Sequence, residues 1–219
     1  RRMSEAGLDR RGVWIAVAAY VAWGVVPLYW HLLKVVPSMQ IMAHRVVWSA
    51  LLVCGWLFYK YGRGWLRETL SRPRAAPLLA LSGVLIAFNW GLYIWAVNAG
   101  HVVESALGYF INPLFSVMLG VLVLHERLNR VQWLSVAIAA VGVLWLTFNY
   151  GGFPWIALAL AGSFGIYGVV RKLLGAPPVR GLGIENLYLL PAALAFLAWA
   201  EISGQGHLFA HGDGPSWGP

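Results

Sequence analysis

Charge is scarce in this 219-residue chain. Asp, Glu, Lys and Arg make up 11% of it, against roughly 25% in an ordinary soluble domain. That excludes a disordered chain, which needs many charges and few apolar residues. Cysteine occurs once, at Cys54, so neither an internal disulfide nor a cysteine zinc site can form. No Gly-rich phosphate loop is present, which argues against ATP hydrolysis. The Gly-x-Ser-x-Gly elbow of a hydrolase is missing too. His125-Glu126 is followed by Arg127, Leu128 and Asn129, so the two-histidine zinc protease motif is not completed. Glu126 sits beside Arg127 and Arg130, the pattern of a solvated charge cluster. No catalytic apparatus is visible, so a non-enzyme without metal or organic cofactor is expected.

What the chain has in excess is apolar surface. Hydrophobic residues make up 60% and the mean hydropathy is +0.68. A soluble core of this length cannot hide that much, so the solvent is lipid. A helix needs about 20 apolar residues to cross a bilayer. Seven runs qualify: Gly12–Leu33, Ser38–Tyr59, Ala75–Val97, Glu104–Leu124, Val131–Phe148, Pro154–Val170 and Leu182–Ala200. The connections are short, so the fold class expected is an all-α, multi-pass bundle with no soluble domain. The first run is too long and too rich in tryptophan (Trp14, Trp23, Trp30) for a cleaved signal peptide. Met3 reads as a start, with residues 1–11 as a cytoplasmic segment. The tail, 202–219, has no apolar run and no sign of folding.

The basic residues set the orientation. Arg1, Arg2, Arg10 and Arg11 precede the first run, and Lys60, Arg63, Arg67, Arg72 and Arg74 follow the second. Arg127 and Arg130 follow the fourth; Arg171, Lys172 and Arg180 follow the sixth. The other side holds only Lys34, and Arg45 lies within a run. This split puts the N-terminus in the cytoplasm by the positive-inside rule. It also explains the net charge of +8 without nucleic acid.

Polar residues inside the runs mark the expected site, because polarity in lipid is expensive. Arg45 lies about 10 Å below the outer surface, and Asn89 and Asn112 about 12 Å, at 1.5 Å per residue. One layer shared by three helices is what a wet cavity opening outward needs. Arg45 requires a partner, and Glu104 is the best acidic candidate on that side. Glu104, His44 and Glu185 are the candidates for an ion pair or for coupling; packing is the alternative role for His44. Ser105, Tyr109, Asn112 and Ser116 share a face, with Gly108 and Gly120 nearby, which fits either a cavity wall or a tight small-residue contact. Pro27, Pro113 and Pro191 each free a carbonyl four residues back. Trp14, Trp30, Trp65, Trp133 and Trp155 sit near run ends as interface anchors do. Trp23, Trp48 and Trp90 lie deeper, placed to stack on a ligand or to pack.

A weak internal echo links Trp23-Gly24 with Tyr167-Gly168 and Gln40 with Glu185. The copies lie five runs apart, so their orientations oppose, as in an inverted repeat. The first copy would be residues 12–150. The second would begin at 151–201 and lack three helices.

Several stretches carry a likeness to a known family. They are GYFINPL (Gly108–Leu114) within Asn89–Val143, AHRVVWS (Ala43–Ser49), SFGIYGVVRK (Ser163–Lys172) and AYVAWGVVPLYW (Ala19–Trp30). Together they resemble the RarD branch of the EamA-type drug/metabolite transporter superfamily, from about Gly12 to Ala200. The resemblance implies a ten-helix permease of the bacterial inner membrane, built from two five-helix inverted repeats. The branch takes its name from a link to chloramphenicol sensitivity. Gln40 stands where that family usually has an acid, and Glu104-Ser105-Ala106-Leu107 replaces its Glu-Ala-Ser-Leu. The resemblance also implies three absent helices, so a truncated and inactive chain is one expectation.

The reading is a secondary transporter moving a small molecule by alternating access. Arg45 would hold an anionic group; Asn89, Asn112 and Tyr109 would orient the substrate; Trp23, Trp90 and Tyr167 would supply stacking wall. Membrane lipid is the other partner expected, and a homodimer stays open. The rivals are a seven-helix receptor, which predicts an outside N-terminus, and a non-transporting assembly factor.

Overall fold

The computed structural model describes residues 10–32 and 36–205, with side chains for 12–26 and 36–205. The expectations for Met3, the N-terminal arginines, Lys34, the side chains of Pro27 and Trp30, and the tail beyond 205 lie outside the described residues. Eight helices follow one another: α1 (Arg10–Leu32), α2 (Ser38–Tyr61), α3 (Gly64–Leu70), α4 (Ala75–Asn98), α5 (Val102–Leu122), α6 (Arg130–Tyr150), α7 (Trp155–Leu174) and α8 (Pro178–Ile202). Among the described residues there is no strand. The chain is an all-α, multi-pass membrane protein.

Six helices, α2 and α4 to α8, are long and apolar enough to cross a bilayer. α1 runs for 23 residues, and its described apolar stretch is Gly12–Val26. α3 is an addition. The sequence reading takes Gly64–Leu70 as loop, because seven residues with two charges are too short and too polar to read as a run. Capping sets several boundaries. Asn129 accepts the Gln132 amide at 2.8 Å while the Gln132 side chain accepts the Asn129 amide at 2.8 Å. This reciprocal box starts α6. Gly151 and Gly175 end α6 and α7 with φ of +79° and +60°, values that a Cβ would penalise.

α4 is the hub. It touches α1, α2, α3, α5, α7 and α8, whereas α1 touches α4 alone and α6 touches α5 alone among the described residues. In lipid, helices associate by close packing rather than by escape from water, and small residues set the closest approaches. A Cβ on Gly108 would stand 3.3 Å from the Ala157 backbone, and one on Gly83 would stand 3.5 Å from the Glu185 carbonyl oxygen. Four buried apolar clusters result among the described residues, two of them at opposite ends of the helices. One of these two joins Ile41, Ile94, Ala96, Val97, Ile156 and Leu160. The other joins Cys54, Leu57, Trp65, Leu79, Leu174 and Ile184.

Two tryptophan readings are corrected here. Trp65 is not an interface anchor; it is 1% exposed and sits edge-on to Phe58 with centroids 5.5 Å apart. Its short helix folds it under α2 and α8, where a Cβ on Gly183 would press on the ring at 3.1 Å. Trp48, offered as a stacking residue, is 60% exposed on α2 and does not line the cavity between α1, α4, α5 and α7.

Candidate functional site

Four helices leave a gap in the half of the bundle that holds the C-terminal end of α4 and the N-terminal end of α5. The cavity holds about 650 Å³ and is walled by α1 (Tyr20, Trp23, Gly24), α4 (Asn89, Trp90, Tyr93), α5 (Val102, Ser105, Ala106, Gly108, Tyr109, Asn112) and α7 (Leu160, Phe164). That volume lies within the roughly 300–1,000 Å³ of small-molecule sites. Helical spacing builds each wall: Asn89, Trp90 and Tyr93 share one face of α4, and Ser105, Tyr109 and Asn112 share one face of α5.

Six of the fourteen lining residues are aromatic, and most of them touch in a chain. Trp23 lies 5.2 Å from Trp90, Trp90 lies 6.4 Å from Tyr93, and Tyr93 lies 5.8 Å from Tyr109. All three contacts are tilted or edge-on, the arrangement that ring quadrupoles favour. The amides occupy different states. Asn89 is anchored, donating from Nδ2 to the Leu160 carbonyl at 2.8 Å and to Ser163 Oγ at 2.9 Å. Asn112 accepts only a long hydrogen bond from Ser116 at 3.4 Å. Its amide donors are therefore available to a guest. Pro113 lies inside α5, one turn beyond Tyr109, whose carbonyl it deprives of a donor.

The sequence-predicted residues divide into those the cavity gathers and those it does not. Trp23, Asn89, Trp90, Tyr109 and Asn112 all line it. Arg45 stands beside the wall rather than in it: its Cζ lies 3.3 Å over the centre of the Trp90 ring. A desolvated cation–π contact of this kind contributes about 2 kcal/mol, close to the roughly 2.5–3.5 kcal/mol that a central Arg costs on insertion scales. The expected Arg45–Glu104 pair does not form. Glu104 instead accepts from Tyr150 Oη at 2.9 Å and from the Ile156 backbone N–H at 2.9 Å. The second partner is an unpaired amide in the first turn of α7, which attracts a carboxylate. His44 makes no hydrogen bond or ion pair among the described residues. Tyr167 lies outside the cavity, close to Glu185, which pairs with Arg171 at 3.2 Å.

Tyr20, Tyr93 and Phe164 were not singled out from sequence. A signal existed for each: Tyr20 is three residues before Trp23, Tyr93 four after Asn89, and Phe164 four after Leu160, all on the same faces. The described residues contain no group of His, Cys, Asp and Glu that could hold a metal.

The profile of the EamA-like transporter family matches residues 10–148. The chain belongs to that family. Among its relatives, a protein RarD of Streptomyces exfoliatus is 47% identical over 212 residues, 97% of this chain and 67% of the relative. An uncharacterized transporter of Pseudomonas aeruginosa is 47% identical over 195 residues, 89% of this chain and 65% of the relative. A chloramphenicol-sensitive protein RarD of the same species is 40% identical over 201 residues, 88% and 66% respectively. The EamA chain thus spans about two thirds of the length of these relatives. No solved structure matches it. Bacterial EamA relatives and six apolar spans place it in the bacterial inner membrane as a multi-pass protein.

Proposed function

We propose that this chain is a secondary transporter, not an enzyme, that carries a small molecule with a flat apolar face through alternating access. The observation that carries the reading is the aromatic cavity of about 650 Å³ between α1, α4, α5 and α7. Positive loops at the opposite ends of these helices make its mouth the periplasmic side. The rings of Trp23, Trp90, Tyr93 and Tyr109 supply stacking surface, Asn112 offers unspent hydrogen-bond donors, and the Arg45 guanidinium makes the Trp90 wall electropositive, favouring an anionic or electron-rich guest. The family and the relatives' names support transport. The name of the Pseudomonas relative makes chloramphenicol, a neutral nitrophenyl amide that tests the flat face but not the preference for electron-rich guests, a rational first compound.

Residues 12–150 are read as one five-helix unit and 151–201 as the start of a second, inverted one. The opposed positions of Gln40 at the outer end of α2 and Glu185 in the inner half of α8 support that division.

The test is uptake into proteoliposomes across a panel of aromatic metabolites and drugs. Asn112→Ala should lower flux about tenfold through one lost polar contact, with unchanged yield and helicity. A panel without any transported compound, or an Asn112→Ala variant that moves a transported one at full rate, would overturn the reading.

A further inference from the structure

At the other end of the bundle three helices meet around one acid. Glu185 is 1% exposed and lies seven residues into α8, and Ser82 lies seven residues into α4. Both are about 10 Å below the cytoplasmic helix ends. Ser82 Oγ donates to Glu185 Oε1 at 2.6 Å, and Arg171 Nη1 of α7 donates to the same oxygen at 3.2 Å. Arg171 Nη2 donates to the Pro178 carbonyl at 2.8 Å. Glu185 Oε2 is buried and no hydrogen bond to it has full geometry, although the Tyr167 hydroxyl lies close to the carboxylate. Glycine makes the junction fit: a Cβ at Gly181 would overlap Arg171 Nη1.

Such a site is expensive as a purely structural device. A buried ion pair gains little over apolar packing, and an unsatisfied buried oxygen adds a further penalty. Both make sense if the pair has to come apart. The groups that face Glu185 are few. From α7 they are Arg171 and the Tyr167 hydroxyl, and from α4 Ser82. From α2 the nearest is the Cys54 thiol, which donates to the Gly183 carbonyl at 3.4 Å. Glu68 of α3 pairs with Arg180 at 2.7 Å, and Lys172 is taken by Glu126. Arg171 is therefore the counter-charge of Glu185 among the described residues. Its side chain is 14% exposed, so it has a route to water.

We propose that Glu185 Oε2 is a proton-binding site, and that the Glu185–Arg171–Ser82 junction is a proton-released lock closing the cytoplasmic side beneath the cavity. The inference rests on the transporter reading and adds its coupling. A proton from cytoplasmic water forms an O–H bond at Oε2, and the carboxylate charge disappears. Arg171 loses its counter-charge and turns to water, α8 loses its ionic tie to α7, and the Ser82 hydrogen bond to α4 falls from charge-assisted to neutral. The ionised acid holds the lock shut, so the lock closes at higher pH and opens as pH falls.

The molecule carries its own reporter. Cys54 is the single cysteine, is buried, and touches α8 two residues from Glu185. The experiment is maleimide labelling of Cys54 in lipid nanodiscs, with each rate divided by that of a free thiol at the same pH. In the wild-type chain this ratio should rise as pH falls from about 8 through the carboxylate range to about 4. Glu185→Gln should label fast at both pH values. Gly181→Ala, which displaces Arg171 without removing an acid, should do the same. A flat wild-type profile, or a Glu185→Gln chain that keeps the wild-type response, overturns the lock. The wild-type profile decides even where a variant fails to fold. No substrate is needed, so a chain that labels as described but moves nothing refutes the transporter reading alone. One that transports with a flat labelling profile refutes the lock alone.

Discussion

The outer and inner halves of this bundle use the same residue types for opposite ends. Outside, Trp23 and Trp90 border a void and Asn112 keeps donors to spare. Inside, Trp65 fills its niche, and Glu185, Arg171 and Ser82 consume one another. Inner connections are stitched as well: Arg72 donates to the Gly175 carbonyl at 2.9 Å and Arg180 meets Glu68 at 2.7 Å. Individually such surface contacts are worth only about 0–1 kcal/mol, but together they tie α3, α4, α7 and α8 at one end. The comparison teaches that a helical membrane protein can divide its work by depth, with one end built to hold and the other to receive.

Three pairs of substitutions sharpen that contrast. The largest effect is expected from Trp65→Ala, which opens a hole in the inner cluster and should lose about 3–5 kcal/mol in reversible unfolding in mixed micelles. Trp23→Ala gives up one aromatic contact, with Trp90, and should lose only about 0.5–1.5 kcal/mol while changing flux. Equal losses for both would erase the distinction. Next comes Glu104→Ala, which strands the Ile156 amide and the Tyr150 hydroxyl and should cost about 1.5–3 kcal/mol. Asn112→Ala breaks one long contact and should leave unfolding unmoved within the same assay. The smallest pair concerns glycines. Gly108→Val meets the α7 backbone and should cost about 1–3 kcal/mol. Gly24→Ala has nothing within 4 Å and should gain about 0.5–1 kcal/mol from helix propensity. A thermal shift of the same sign for both would contradict the packing described.

Much of this was legible before any coordinates. Run length gave the spans to within a few residues, because hydrocarbon thickness fixes them. Depth plus helical spacing found five residues that line the cavity. What stayed hidden was rotation. Trp48 and Trp90 look alike in sequence, since in lipid both faces of a helix are apolar, yet one faces outward and the other walls the cavity. Partners were hidden for a related reason. Glu104 was matched with Arg45 because side-chain charge is visible in sequence, whereas its actual partners are an uncharged hydroxyl, Tyr150, and the Ile156 amide of a backbone whose position only the fold determines. Trp65 escaped because α3 has too few residues to show a period.

The isolation of α6 has a practical use. With no buried side chain of its own and one neighbouring helix among the described residues, it turns a half-buried stripe to α5 and leaves Ile138 and Val141 exposed on other faces. A spin label or environment-sensitive fluorophore at Ile138 or Val141 would therefore sense bilayer order and depth while leaving the working parts of the molecule undisturbed.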